Sequence, residues 1–174
     1  SLRYMKINWN ESNSDGGGIA AYSSNLDFNN VILYANLAWH GAGINLYTSY
    51  AISNKLTIIY NISGSSGSGI SASESDVITI NSIIWGNVPD GAQIPNTVSA
   101  FYSNIEGNTT WNGEGNINTP PLILYTEDNN CLLEENSPCI DAGTSYFERD
   151  GEIVVNMPRN SYCDDAPDMG TYEY

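Results

Sequence analysis

Carboxylates are the commonest reactive groups in this 174-residue chain: 20 Asp and Glu stand against 5 Lys and Arg, a net charge of -15. Five of them, Asp141, Asp150, Asp164, Asp165 and Asp168, crowd the segment after Cys139. Hard oxygen donors gathered in a loop-rich stretch suit Ca²⁺, and Asp141, Asp150 and Asp168 are the candidate ligands. Asp also caps turns by accepting backbone N–H groups, and that plainer role is the favoured reading of Asp141 and Asp168. No cofactor is required by any motif.

Polysaccharide chemistry is the other use for these acids. A glycoside hydrolase needs two carboxyls about 5 to 9.5 Å apart. The first half offers Asp15, Asp27, Glu74, Asp76 and Asp90, none of them at equivalent positions. Asp164 and Asp165 are adjacent, and neighbours on an extended chain point apart. A lyase needs a Ca²⁺ site and a basic residue, with only Lys6, Lys55, Arg3, Arg149 and Arg159 to supply it. The acidic field repels polyanions, so a nucleic-acid partner is excluded.

Cys131, Cys139 and Cys163 all lie in the last part of the chain. An odd count allows at most one internal bridge. The three are disulfide candidates for a local staple in an oxidising compartment, or else buried thiols. With His40 as the single histidine, no zinc site of ordinary spacing can be completed.

Something must position these groups, and the scaffold is visible as a repeat. Gly16-Gly17-Gly18-Ile19 returns as Gly41-Ala42-Gly43-Ile44 and as Gly67-Ser68-Gly69-Ile70. In the same phase, Val31 to Asn36 matches Leu56 to Asn61 and Ser82 to Asn87. A shorter step leads to a degenerate copy, Ser103 to Asn108. Short β segments with Gly and Asn corners at this period predict an all-β, right-handed parallel β-helix with coils of about 25 residues. Ile19, Ile44 and Ile70 should stack inside one sheet, and Leu33, Ile58 and Ile84 inside another. Asn36, Asn61 and Asn87 should stack at a corner, where Asn tolerates a left-handed backbone and its amide can bond the next Asn.

The strands around Leu33, Ile58 and Ile84 do not alternate. Ile32, Thr57 and Ile83, with Tyr34, Ile59 and Trp85, point outward yet are mostly apolar. A strand apolar on both faces is buried on both, so this face needs a cover: the chain's own tail, a partner or a second copy. Residues 1–112 are read as coils and 113–174 as a closing segment packed on them. Tyr22 and Tyr47, one coil apart, together with Tyr34 and Trp85, are candidate glycan contacts because aromatic faces suit sugar rings; the plainer and favoured reading is that they stabilise the coils or lie buried under the tail. No apolar run is long enough to span a membrane.

The tail carries distinctive strings: Ser137-Pro-Cys-Ile-Asp-Ala-Gly143 and Asp168-Met-Gly-Thr-Tyr-Glu173. Together with Asn81-Ser-Ile-Ile-Trp-Gly-Asn87, in this order, they resemble the bacterial β-helix surface proteins called choice-of-anchor Q or Pmp-like. The likeness spans essentially the whole chain. One departure is Glu148-Arg149-Asp150-Gly151, where the family often has an Asp-x-Asp-Gly loop. The resemblance implies a secreted or cell-surface molecule, with this chain forming the C-terminal part of the solenoid. The leading expectation is a non-enzymatic structural or adhesive role, with a glycan, read from the aromatics, or another surface protein, read from the uncovered face, as partner. Two alternatives stand beside it: a fibre assembled by head-to-tail self-association, and a fragment of a polysaccharide lyase or glycoside hydrolase.

Overall fold

The computed structural model describes residues 1–65, 67–89, 93–126 and 130–174; Asp90 lies outside them. It is a parallel β-solenoid. The long sheet contains Leu2–Asn8, Asn25–Tyr34 and Tyr50–Ile59, followed by two coils in which the strand is broken in two. These broken strands are Asp76–Ile80 with Ile83–Trp85, then Val98–Phe101 with Asn104–Ile105. A short corner sheet pairs Leu37–Ala38 with Ile62–Ser63, and a third sheet stacks Ile19–Tyr22, Ile44–Tyr47 and Ile70–Ser73.

Registers follow the repeat. Ile19 pairs with Ile44 and Ile44 with Ile70. Leu33, Ile58, Ile84 and Ile105 form one row, at steps of 25, 26 and 21 residues. These inward rows share one core with Val31, Leu46, Leu56 and Val77. A coil cannot bury its apolar side alone, and stacking gives each inward side chain a like neighbour above and below.

Left-handed residues turn the chain at equivalent places in successive coils. One set is Gly16, Gly41 and Gly67, and a second is Trp9, Ala35, Tyr60 and Gly86. A third, Asn30, Lys55 and Asn81, kinks the long sheet. Asn36, Asn61 and Asn87 are therefore not themselves the left-handed residues, which corrects half of the reason given for their type; each follows one. Their amides make the ladder. Asn36 donates its backbone N–H (3.0 Å) and its Nδ2 (2.9 Å) to Asn61 Oδ1. Asn61 donates in the same way to Asn87 Oδ1, both at 2.9 Å.

The end of the solenoid after Ile105 is partly covered by the loop that follows. Tyr102 and Ile105 donate their N–H groups to the carbonyls of Glu114 and Ile117, and Ser103 N–H reaches Asn116 Oδ1. Trp111 packs against the core there. The loop thus takes up part of the row of strand edges at this end, while Val98–Phe101 is paired with a strand on one side only.

The tail covers the outward apolar face. Ile32, Ile59 and Ile83 are buried against Cys131, Leu133, Cys139 and Met169. The kink residues hold it: Asn30 Nδ2 donates to Thr171 O, Asn81 exchanges bonds with the backbone of Thr144, and Lys55 pairs with Glu173. A hairpin, Tyr146–Arg149 with Glu152–Asn156, packs Phe147 and Val155 on Ile78 and Ile80.

Candidate functional site

Where the long sheet turns into the corner sheet, the row Trp9, Ala35, Tyr60, Gly86 alternates large and small side chains. The backbone bonds Trp9 N–H to Tyr34 O, Ala35 N–H to Ile59 O and Tyr60 N–H to Trp85 O keep these four residues in one row. The alternation is steric: a Cβ on Gly86 would come within 2.5 Å of the Tyr60 ring. Tyr34 stands edge-on between the two large rings, 5.4 Å from Trp9 and 6.2 Å from Tyr60. Tyr125, carried in by the tail strand Ile123–Tyr125, stacks on Tyr34 at 6.1 Å and tilts against Tyr60 at 5.5 Å. Trp9 stays 67% exposed and Tyr60 42%.

A cleft of about 210 Å³ opens beside these rings, lined by Tyr60, Trp85, Pro120, Pro121, Tyr125 and Glu134 among others. It is smaller than the roughly 300–1,000 Å³ of enclosed small-molecule sites, a size suited to one ring of a longer ligand. Burial first, and then the Tyr60 hydroxyl, push the Tyr125 phenol far above its ordinary range. It therefore remains a neutral hydroxyl able to donate and accept. Glu134 is the one carboxylate among the described lining residues. A larger cavity of about 530 Å³, between the long sheet and the tail hairpin, also has a single carboxylate in its described lining, Asp27. That group is paired with Arg3 at 2.7 Å. Neither cavity presents a carboxyl pair of the glycosidase kind.

The four aromatic candidates separate into two sites. Tyr22 and Tyr47 are stacked one coil apart on the third sheet, with ring centroids 6.4 Å apart, and both are exposed. Tyr22 donates its hydroxyl to Asp15 Oδ2 at 3.2 Å, while Asp15 Oδ1 lies 3.0 Å from His40 Nδ1. The Asp15 bond raises the Tyr22 pKa. Tyr34 and Trp85 are half-buried against the tail cluster. Sequence reasoning missed Trp9, Tyr60 and Tyr125. For the first two a signal existed: each directly precedes an Asn of the ladder repeat, with Ala35 and Gly86 in the same place. Nothing in the sequence marks Tyr125, because only the folded tail brings it to Tyr34.

Asp141 and Asp168 are engaged with backbone. Asp168 Oδ1 accepts from Asp141 N–H at 2.8 Å and Oδ2 from Tyr174 N–H at 2.6 Å; Asp141 Oδ1 accepts from Ala166 N–H at 3.0 Å. Burial still lifts the Asp168 carboxyl above its usual range, against the pull of those two bonds. Asp150 sits apart, exposed at the hairpin turn beside Arg149. Among the described residues, no three His, Cys, Asp or Glu side chains are grouped to hold a metal ion.

The three cysteines are thiols, and no disulfide joins any of them. Cys163 is exposed, while Cys131 and Cys139 fill the apolar interface under the tail. Burial raises Cys131 to about 12 and Cys139 to about 11. Asn104 Nδ2, 3.1 Å from Cys139 Sγ, pulls the latter partly back.

Comparison with protein-family models, curated proteins and solved structures gives no match. Among the described residues, no helix is long and apolar enough to cross a membrane.

Proposed function

We propose that this chain is a module of an extracellular or cell-surface β-solenoid protein, and that it acts by contacting glycans rather than by transforming them. The ring cluster of Trp9, Tyr34, Tyr60 and Tyr125 beside an open cleft carries this reading. Rings left in water on a rigid scaffold are costly unless a ligand covers them, and they lose little entropy when it does. The resemblance of the Ser137–Gly143 and Asp168–Glu173 strings to bacterial surface proteins supports the location. The single carboxylate in the described lining of each of the two cavities weighs against hydrolysis as the leading reading.

Affinity electrophoresis through gels containing soluble polysaccharides tests it. Retardation by at least one glycan is expected, weakened about tenfold, or about 1.4 kcal/mol, in Tyr125→Ala. If no glycan retards the chain, the reading fails. Release of reducing or unsaturated ends from a retarding glycan would move the protein into the enzyme class.

A further inference from the structure

We propose that the glycan is an unbranched, uncharged, β-1,4-linked chain lying along the solenoid axis across Trp9 and Tyr60. This rests on the glycan-contact reading above and adds the polymer's class and direction. Trp9 and Tyr60 occupy the same row two coils apart. At about 4.8 Å per coil, they are separated by roughly 10 Å along the axis. Within this row rings alternate with the small residues Ala35 and Gly86, and Tyr60 covers the place a side chain at Gly86 would need. An extended β-1,4-linked chain repeats over two sugars of about this combined length, and every second sugar turns the same face to the same side. A platform on every second coil meets that repeat in register.

The neighbouring surface fits the same ligand. Leu37, Ile62 and Val88 form an adjoining outward row, at 40, 49 and 46% exposure, an aliphatic strip running the same way and ending on the exposed Glu11 at the coil of Trp9. An aliphatic strip favours the C–H faces of sugar rings, and Glu11 at its end repels an acidic polymer while it can accept from a sugar hydroxyl. The net charge of -15 repels acidic polymers. Tyr34, edge-on between the two platforms, fixes their separation, as a repeating ligand requires.

Calorimetric titration of the whole chain with cello-, manno- and chito-oligosaccharides, from disaccharide to hexasaccharide, tests the proposal. In at least one series, affinity should rise at least tenfold once the chain is long enough to reach both rings, then level off. Trp9→Ala should remove that step while leaving short-chain binding at Tyr60 and Tyr125. The substitution is tolerable in the backbone, because Ala35 already holds the same left-handed conformation in the next coil; an unchanged melting curve verifies this. If disaccharide and hexasaccharide bind alike, or if polygalacturonate binds better than all three series, this proposal falls and the glycan-contact reading survives. If no glycan of any kind binds, both fall.

Discussion

Asn87 donates its side-chain amide to Gln93 Oε1, six residues further on, at 2.6 Å. Every earlier rung of this ladder is an Asn of the next coil, so Gln93 stands where the repeat would supply another Asn. It returns a bond from Nε2 to Asn87 O at 2.9 Å and reaches Glu106 Oε2 at 3.0 Å. A longer side chain from a different point of the coil thus ends the buried ladder without leaving an orphan.

Gln93→Leu should cost about 1–3 kcal/mol, the penalty for stranding a buried donor. Asn61→Ala should cost more, because Asn36 then loses its Oδ1 acceptor and Asn87 Oδ1 one of its two donors, while Leu33 O and Ile59 O are also left short. Urea unfolding with unchanged slope measures both. Equal costs would mean that the ladder is not continuous.

Lys55 is 2% exposed, and its ammonium meets Glu173 and Asp168 O from the tail. Glu173→Gln leaves that charge buried without its counter-ion. A loss of about 3 kcal/mol is expected, the low end for a broken buried pair because Glu173 keeps some solvent contact. The double variant Lys55→Met/Glu173→Leu should recover most of it, since paired apolar groups need no counter-charge. A double variant no better than the single would show that the tail is held elsewhere.

Both buried thiols titrate higher in the folded chain than their ordinary value of 9.0. Above pH 9 the unfolded chain releases these protons while the native chain keeps them. Stability is therefore full below pH 9 and falls as pH rises toward 11 and 12. Unfolding midpoints across this range should drop, and drop less in Cys131→Ala/Cys139→Ala. In native protein a thiol reagent should label Cys163 alone, with the other two reacting only after denaturation.

Neither added Ca²⁺ nor EDTA should move the thermal midpoint, because the oxygens of Asp168 and one of Asp141 are already given to backbone N–H groups. A bound ion at a hundred times its dissociation constant would add about 2.7 kcal/mol. A shift of that size would show that the ion displaces those bonds.

Much of the scaffold is legible in the sequence because coil stacking sets like on like. Ile19, Ile44 and Ile70 recur in phase, as do Leu33, Ile58 and Ile84, since each row must fill the same place in successive coils. The left-handed turns are only half legible. Gly16, Gly41 and Gly67 announce themselves, whereas Ala35 and Tyr60 take the same backbone form with no turn signature, held there by parallel neighbours. The aromatic site was partly visible: Tyr34 and Trp85 were marked by their place on an apolar outer face, but not as the wall beneath Trp9, Tyr60 and Tyr125.

By itself, the sequence determined the period, the inward rows, the Asn ladder and the need for a cover over Ile32, Ile59 and Ile83. Each of these is a property of one position repeated at a fixed interval. Only the tertiary structure decided which residues cover that face, that Gln93 ends the ladder, and that Tyr125 joins Tyr34 and Tyr60. Those contacts join segments with no common repeat, so their partners depend on how the irregular tail fits the shape and the unfilled hydrogen bonds of the finished solenoid.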